Sequence, residues 1–196
     1  HLKKLVIGYD HHFGKNREGN FEQLAEYGEL YDFEVIEIPA QEIQDVAVSS
    51  TKVRKAIEIG DMETANTYLG YPYRLTGTIV SGKGLGRKMS FPTVNLSIVE
   101  DYKRIPLRGV YVVRTMIGHK QVFGMMNIGY RPTVGGQGQT IEIHLLDFDG
   151  DLYGSKMQIE ILSRLRDERK FESMHELGSQ LKKEEANSRN YLSKIQ

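Results

Sequence analysis

Residues 73–96 read Tyr73-Arg-Leu-Thr-Gly-Thr-Ile-Val-Ser-Gly-Lys-Gly-Leu-Gly-Arg-Lys-Met-Ser-Phe-Pro-Thr-Val-Asn-Leu96. The stretch begins with a β-type run and continues as a loop that holds three glycines and three cations. Four further β-type runs follow at residues 109–116, 121–128, 140–146 and 156–162, and glycine-rich or polar turns separate them. Because no helical pattern intervenes between these runs, they predict an antiparallel sheet or a small barrel.

The chain before this stretch has a different, alternating pattern. Apolar β-type runs at residues 5–8 and 33–38 flank a helical pattern at residues 20–30. Two more helical patterns follow at residues 52–59 and 61–69. Strands and helices in alternation are typical of an α/β segment. The first part of the chain is therefore predicted to differ in architecture from the β-rich part that follows it.

Together these patterns predict an α+β chain with a domain boundary near residues 70–72. Residues 1–71 form the α/β segment, and residues 72–196 form the small antiparallel β-barrel. Ser173-Met-His-Glu176 has the spacing of a helix capping box, in which a hydroxyl and a carboxylate each accept a backbone N–H. We therefore expect a C-terminal helix after the last strand of the barrel.

The composition restricts the class of protein. Lys plus Arg and Asp plus Glu number 26 each, so the formal net charge is zero, which argues against a dedicated nucleic-acid-binding protein. No run approaches the ~18 apolar residues of a membrane span, so no membrane partner is expected. The sequence has no cysteine, which excludes disulfides and thiolate metal sites within it and fits a cytoplasmic enzyme.

Thr93 and Asn95 stand two residues apart directly after the glycine-rich loop. In an extended backbone, residues at this spacing project to the same face. A hydroxyl and an amide oxygen can therefore meet one hard cation, and Mg²⁺ takes oxygen ligands while it keeps several waters. Together with the loop cations, this pair predicts a site for phosphate and Mg²⁺. The loop is not a P-loop, because the sequence lacks GxxxxGK[ST].

Glu142 is the candidate general base. Strand alternation places Glu142, His144 and Leu146 on one face of the run 140–146, opposite the three apolar residues between and beside them. A carboxylate on this strand could activate a substrate hydroxyl for attack on phosphorus. The strand alone favours the simpler interpretation that Glu142 and His144 lie in solvent. The phosphate and metal loop favours the base, because phosphoryl transfer to a hydroxyl needs one.

Two charged segments allow both a structural and a binding interpretation. Residues 163–171 could be a solvated connection, or Arg166, Arg169 and Phe171 could bind an aromatic or anionic ligand, since arginine stacks on flat rings and pairs with phosphate. Ser50 and Thr51 could simply cap a helix. Alternatively they could form an anion site with Arg54, because free N–H groups point outward at a helix start.

In combination these motifs resemble the bifunctional bacterial riboflavin kinase and FMN adenylyltransferase family, also called FAD synthetase. The resemblance extends from about Tyr73 to the end of the chain. The motifs occur in the family's order, and they are the glycine-rich loop with Pro92-Thr-Val-Asn95, Gly109-Val-Tyr111, Asn127-Ile-Gly-Tyr-Arg-Pro-Thr133, Glu142-Ile-His-Leu-Leu-Asp-Phe148, Leu152-Tyr-Gly154 and Arg166-Asp-Glu-Arg-Lys-Phe171. The resemblance implies that ATP and riboflavin are converted to ADP and FMN.

The resemblance also implies a role for each candidate residue. Thr93 and Asn95 would hold Mg²⁺ and touch the ATP phosphates, and Gly82 and Arg87 would line the nucleotide loop. Glu142 would take the proton from the riboflavin 5′-hydroxyl. The residues implied at the edge of the adenine pocket are Leu145, Asp147 and Tyr153. Those implied to contact the flavin are Arg166, Arg169 and Phe171.

Residues 1–71 resemble only the C-terminal part of the family's α/β, Rossmann-like nucleotidyltransferase domain. Ser50, Thr51 and Arg54 fall in a segment similar to its phosphate-binding signature. The HxGH motif expected upstream does not occur in this sequence, so we expect FMN but not FAD as a product of this chain. One alternative is a bifunctional enzyme whose N-terminal ~100 residues are missing here. Another is a non-catalytic barrel that binds flavin or nucleotide.

Overall fold

The computed structural model describes residues 2–40, 42–43, 46–82, 86, 91–133 and 136–195. The chain forms two compact units, residues 1–49 and residues 50–196. Within the described ranges, no helix has both the length and the apolar composition needed to cross a bilayer. These packing units divide earlier in the chain than the domain boundary predicted near residues 70–72, which remains a prediction.

The first unit is built from a parallel strand pair and the helix that connects its strands. Strand β1 (Lys4–Gly8) pairs with β2 (Glu34–Ile38), and helix α1 (Phe21–Tyr31) lies between them in the chain. Asn20 caps α1 by accepting the Gln23 N–H at 3.1 Å. The predicted strand–helix–strand order is therefore confirmed. Shorter elements of this unit are a 3₁₀ turn at Lys15–Arg17 and the antiparallel strands β3 (Glu42–Ile43) and β4 (Val46–Ala47).

Two helices open the second unit and pack together. They are α2 (Ser50–Ile59) and α3 (Met62–Leu69). The Asn66 side chain on α3 donates to the Ile161 carbonyl at 2.9 Å and accepts the Tyr73 N–H at 2.7 Å. This amide therefore ties α3 to two strands of the sheet that follows.

The rest of the second unit is a closed barrel of antiparallel strands with one further helix, as predicted. The strands follow the order β10-β5-β6-β9-β8-β7 around the barrel. Five of the six strands overlap the predicted runs, and the sixth, β6, is only four residues long. The elements are β5 (Tyr73–Val80), β6 (Val94–Ser97), β7 (Gly109–Ile117), β8 (Lys120–Thr133), β9 (Gly136–Leu145), β10 (Lys156–Asp167) and α4 (Met174–Leu192).

Apolar side chains fill the barrel interior, and a second apolar cluster holds α4 on the outside. Tyr111, Met126 and Ile143 are fully buried in the interior. The outer cluster consists of Val112, Leu146, Leu162 and Leu192. Alternation explains the division, because Tyr111 and Val112 are neighbours on one strand and point to opposite faces. The outer face of the barrel thus provides an apolar surface against which α4 packs.

The predicted capping box at the start of α4 is present. The Ser173 hydroxyl accepts the Glu176 N–H at 3.1 Å, and the Glu176 carboxylate accepts the Glu172 N–H at 3.1 Å. The first bond satisfies a donor that the first helical turn leaves without a partner, and the second ties that turn to the residue before the N-cap. The start of α4 is therefore defined close to the segment that connects it with β10.

Candidate active site

A row of paired residues runs across five adjacent strands of the barrel. Asn95 on β6 pairs with Glu142 on β9, and Glu142 pairs with Asn127 on β8. The row continues through Val110 on β7 to Arg166 on β10. Directly paired residues of antiparallel strands project to the same face. Because the neighbouring row of Ile143, Met126 and Tyr111 fills the interior, this row faces outward.

A cavity of about 260 Å³ lies over this row. The strands form its floor, and residues 91–93, residues 166–171 and one face of α4 contribute to its walls. The cavity brings together six of the residues singled out in the sequence, although they are up to 78 positions apart (171 − 93 = 78). They are Thr93, Asn95, Glu142, Arg166, Arg169 and Phe171.

One end of the cavity carries the neutral oxygen groups that the sequence predicts as metal ligands. Thr93 and Asn95 are both half-buried there, and the strand pairing holds Asn95 directly beside Glu142. The group of a hydroxyl, an amide oxygen and a nearby carboxylate fits Mg²⁺, which prefers hard oxygen ligands. Among the described residues, no three His, Cys, Asp or Glu side chains cluster as a metal site. The metal prediction therefore depends on Thr93 and Asn95.

Gly82 packs directly against one of these proposed ligands. A Cβ atom at Gly82 would lie 2.1 Å from Asn95 Nδ2, far inside the normal contact distance. Only glycine allows the Asn95 amide to occupy this position without displacement. Arg87, the other residue predicted to line this loop, lies outside the described residues.

The opposite end of the cavity is charged and aromatic. The guanidinium groups of Arg169 and Arg166 lie 4.6 and 5.5 Å from the centre of the Phe171 ring. Arg166 Nε also donates to Glu184 Oε1 at 2.6 Å, and the side chain of Glu184 is only 3% exposed. Arginine beside an aromatic ring makes a surface suited to a flat heterocycle. The three predicted flavin residues thus share one wall.

Glu184 was not identified in the sequence, although a signal for it exists. It follows Leu177 and Leu181 on α4 at positions i, i+4 and i+7, and all three line the cavity. Residues at this spacing share one face of a helix. An acid in an apolar stripe is unusual because burying a charge is costly unless it is paired. Asn127, Glu168 and His144 were likewise not assigned a role in the site, and they also line the cavity.

The comparison with protein families agrees with this geometry. The family model for Flavokinase, described as riboflavin kinase, matches residues 69–192. The chain belongs to the riboflavin kinase family. A second family model, described as FAD synthetase, matches residues 1–52. The barrel, α4 and the whole cavity thus lie inside the region that matches the riboflavin kinase family.

Curated relatives are named bifunctional riboflavin kinase/FMN adenylyltransferase. The Listeria monocytogenes protein is 38% identical over 197 residues, which covers 100% of this chain and 62% of the relative. The Escherichia coli K12 protein is 37% identical over 191 residues, which covers 97% of this chain and 60% of the relative. The chain thus spans about three fifths of the length of these relatives.

A solved structure has the same fold. A Streptococcus pneumoniae crystal structure, named as a macrolide-efflux protein, has a TM-score of 0.83 and 35% sequence identity. The similarity covers 94% of this chain and 60% of that one. This similarity shows the fold of the chain.

The three residues predicted at the adenine pocket do not line this cavity of the riboflavin kinase region. Leu145 is 6% exposed and packs in the barrel interior, whereas Tyr153 is 53% exposed. Asp147 follows β9 with a positive φ of 54°. The Arg189 guanidinium donates to both Asp147 carboxylate oxygens at 2.8 Å, and these bonds hold the pKa of that carboxyl below its usual value. Contact of these three residues with a nucleotide remains a prediction.

Ser50, Thr51 and Arg54 lie in the first two turns of α2. Arg54 Nε donates to the Ser50 carbonyl at 3.0 Å, so its guanidinium folds back along the helix. Ser50 is the first helical residue, not a cap before the helix. Anion binding by this group remains a prediction, as does its relation to the adenylyltransferase segment of the family.

Proposed function

We propose that this chain transfers the γ-phosphoryl group of ATP to the 5′-hydroxyl of riboflavin and releases ADP and FMN. One observation carries the proposal: Asn95 and Glu142 are paired directly across β6 and β9, inside one cavity of a chain from the riboflavin kinase family. The proposed nucleotide end and the proposed base are thus held together by backbone hydrogen bonds. That rigidity suits a reaction in which positioning and electrostatics provide most of the rate enhancement.

The proposed reaction uses few side chains. Glu142 accepts the proton of the 5′-hydroxyl while that oxygen forms a bond to the γ-phosphorus, and the bond from phosphorus to the bridging β–γ oxygen breaks. ADP leaves with the electron pair of that bond. Arg166, Arg169 and Phe171 hold the flavin ring at the other end of the cavity. Thr93 and Asn95 orient the phosphates, and Gly82 and Arg87 line the nucleotide loop.

We propose Mg²⁺ as the cofactor, held by Thr93 and Asn95. When bound, it would neutralise negative charge on the phosphates. The chain is expected to form FMN from riboflavin and ATP only when Mg²⁺ is present. Chelation with EDTA should abolish product formation, and an excess of MgCl₂ should restore it. FMN formed at an unchanged rate in EDTA would contradict the metal assignment.

Glu142→Gln tests the base directly. General base catalysis typically contributes a factor of about 10²–10⁴, so the variant should lose at least about 100-fold in turnover. Its affinity for Mg-ATP should remain nearly intact, because the amide keeps the shape of the carboxyl group. Riboflavin, FMN and FAD are separated by chromatography after incubation with riboflavin and Mg-ATP.

The matched control is Glu100→Gln, at an exposed acid outside the cavity, which should behave as wild type. A Glu142→Gln variant with near-normal turnover would refute the base assignment. A wild-type chain that binds riboflavin and consumes no ATP would instead indicate the non-catalytic flavin-binding barrel.

A further inference from the structure

His144 connects the strand of the proposed base with the turn that precedes the proposed metal ligands. It lies two residues after Glu142 on β9 and projects to the same outward face. Its side chain is half-buried and lines the cavity. From the sequence, His144 was identified only as a neighbour of Glu142 on the same face of the strand. Its contacts suggest a more specific task.

The backbone pairing between β6 and β9 is short. It joins Asn95 to Glu142 and Val94 to Ile143, and there it ends. Thr93, which is half-buried and lines the cavity, precedes the first residue of β6. The position of Thr93 therefore depends on contacts other than that strand pairing.

His144 supplies contacts just beyond the end of the pairing. Its Nδ1 atom lies 2.8 Å from the Pro92 carbonyl oxygen. Its ring also meets the Phe91 ring edge to face, with the ring centres 5.0 Å apart. Phe91 itself is 5% exposed, and its N–H donates to the Gly86 carbonyl at 2.9 Å. The two residues before Thr93 are thus both held against the strand that carries Glu142.

The hydrogen bond places a requirement on one nitrogen of the imidazole ring. A carbonyl oxygen only accepts, so His144 Nδ1 must carry the hydrogen. Both the neutral Nδ1–H tautomer and the imidazolium ion meet this requirement. The bond can therefore hold the turn whether or not the ring is charged, which suits a structural donor better than a proton carrier.

We propose that His144 is a positioning residue for the metal and nucleotide end of the cavity. Through Pro92 and Phe91 it holds Thr93 at a constant place relative to Asn95 and Glu142. The proposal rests on the proposed function and deepens it by naming a residue that acts on nucleotide affinity without contacting the phosphorus atom. Loss of the Nδ1 donor should therefore weaken binding of Mg-nucleotide much more than binding of riboflavin.

Two substitutions separate the donor from the ring. His144→Phe keeps an aromatic ring against Phe91 and removes the donor. His144→Asn removes the ring and keeps an N–H donor close to the position of Nδ1. A third variant, His119→Phe, changes an exposed histidine in the turn between β7 and β8 and is the matched control.

The experiment measures Mg-ADP affinity by isothermal titration calorimetry and the steady-state constants for both substrates. In His144→Phe, the Kd for Mg-ADP and the KM for Mg-ATP should each rise about tenfold, the effect of one lost hydrogen bond to a partly buried acceptor. Its kcat and riboflavin KM should stay within about threefold of wild type. His144→Asn should recover most of the nucleotide affinity, and His119→Phe should match wild type.

The outcomes separate this inference from the proposed function. A wild-type chain that forms no FMN overturns the proposed function and this inference with it. Normal wild-type turnover overturns the inference alone if His144→Phe binds Mg-ADP as wild type does, or if His144→Asn is as defective as His144→Phe. If His144→Phe does not fold, His144→Gln replaces it, since its amide reaches toward the position of Nε2 and cannot supply the Nδ1 donor.

Discussion

The two ends of the cavity are built by different means. At the proposed nucleotide end, neutral side chains are held by strand pairing, by the close approach of Gly82 and by one histidine–carbonyl bond. At the proposed flavin end, Arg166 and Arg169 are held by carboxylates of α4 and lie against one phenylalanine ring. Backbone geometry thus dominates at one end, and charge and helix packing dominate at the other.

Because of this difference, substitutions at the two ends should affect different properties of the protein. Side chains placed by strand pairing can be moved without loss of a large buried interaction, so changes there should alter nucleotide affinity more than stability. The flavin end depends on Arg166 and the almost fully buried Glu184, and removing one partner of such a pair leaves the other charge uncompensated. Changes there should therefore alter stability and flavin affinity together.

Gly82→Ala is expected to have the largest effect among substitutions that test the two ends of the cavity. The added methyl group would lie 2.1 Å from Asn95 Nδ2, so the amide must move. A displacement of about 1 Å in a positioned group can cost up to about 100-fold, and we expect the KM for Mg-ATP to rise by about 10- to 100-fold. Steady-state kinetics with each substrate varied in turn will measure it, and the KM for riboflavin should change little.

Gly178→Ala is the matched control for the added methyl group. Gly178 lies within α4, and apart from its chain neighbours and the nearby backbone of its own helix, no described atom lies within 4 Å of a Cβ placed there. Alanine is favoured over glycine in a helix by about 1 kcal/mol, so this variant should be as stable as wild type or more so. Equal nucleotide constants in Gly82→Ala and Gly178→Ala would contradict the proposed place of Asn95 in the nucleotide site.

Glu184→Ala should have the next largest effect, at the flavin end. It leaves Arg166, whose side chain is 20% exposed, without its carboxylate partner. We expect the free energy of unfolding to fall by about 2 kcal/mol and riboflavin affinity to fall about tenfold, because the guanidinium is no longer held. Urea denaturation and riboflavin fluorescence titration measure the two effects.

The neighbouring acid provides the control for Glu184. Glu185 pairs with Arg189 on the exposed side of α4, with side chains 29% and 46% exposed. Glu185→Ala should change the free energy of unfolding by less than about 0.5 kcal/mol. If Glu184→Ala raised the KM for Mg-ATP and left riboflavin binding unchanged, the division between the two ends would be wrong.

The fold was predictable from the sequence where local periodicity carries the information. Alternation in the run 140–146 put Ile141, Ile143 and Leu145 on the face opposite Glu142, and the structure shows that this face lies in the interior. Strand β6 is only four residues long and begins shortly after a proline, so it is too short for a periodic signal. It forms a strand because β5 and β9 pair with it. Such pairing joins residues 47 positions apart (142 − 95 = 47), and no local pattern encodes it.

The site was likewise predictable only in part from the sequence. The spacing after the glycine-rich loop, the alternation in the run 140–146 and the resemblance to the riboflavin kinase family identified Thr93, Asn95 and Glu142, which the structure brings into one cavity. The supporting residues were missed because their importance arises from contacts between distant segments. His144 became notable only through its bond to Pro92, and an acid on α4 only through its pair with an arginine of β10.

Asp147→Asn should have the smallest effect, and it concerns the far end of α4. Hydrogen bonds from Arg189 hold the Asp147 pKa below its ordinary value of 3.8, so the ionised carboxylate stabilises the fold above that pH. This contribution is lost as the pH falls through the folded-state pKa. Asparagine tolerates the positive φ at this position, so the backbone should be undisturbed.

The expected signature of Asp147→Asn is therefore a pH-dependent difference in stability. Urea denaturation of both proteins should show a small loss of stability in the variant at neutral pH. The difference should shrink toward zero as the pH falls below 3.8, because wild-type Asp147 then becomes neutral as well. The pair is exposed and screened by salt, so the difference should also shrink at high ionic strength. A difference that stays constant from neutral to acidic pH would mean that the Arg189 contact does not stabilise the ionised carboxylate.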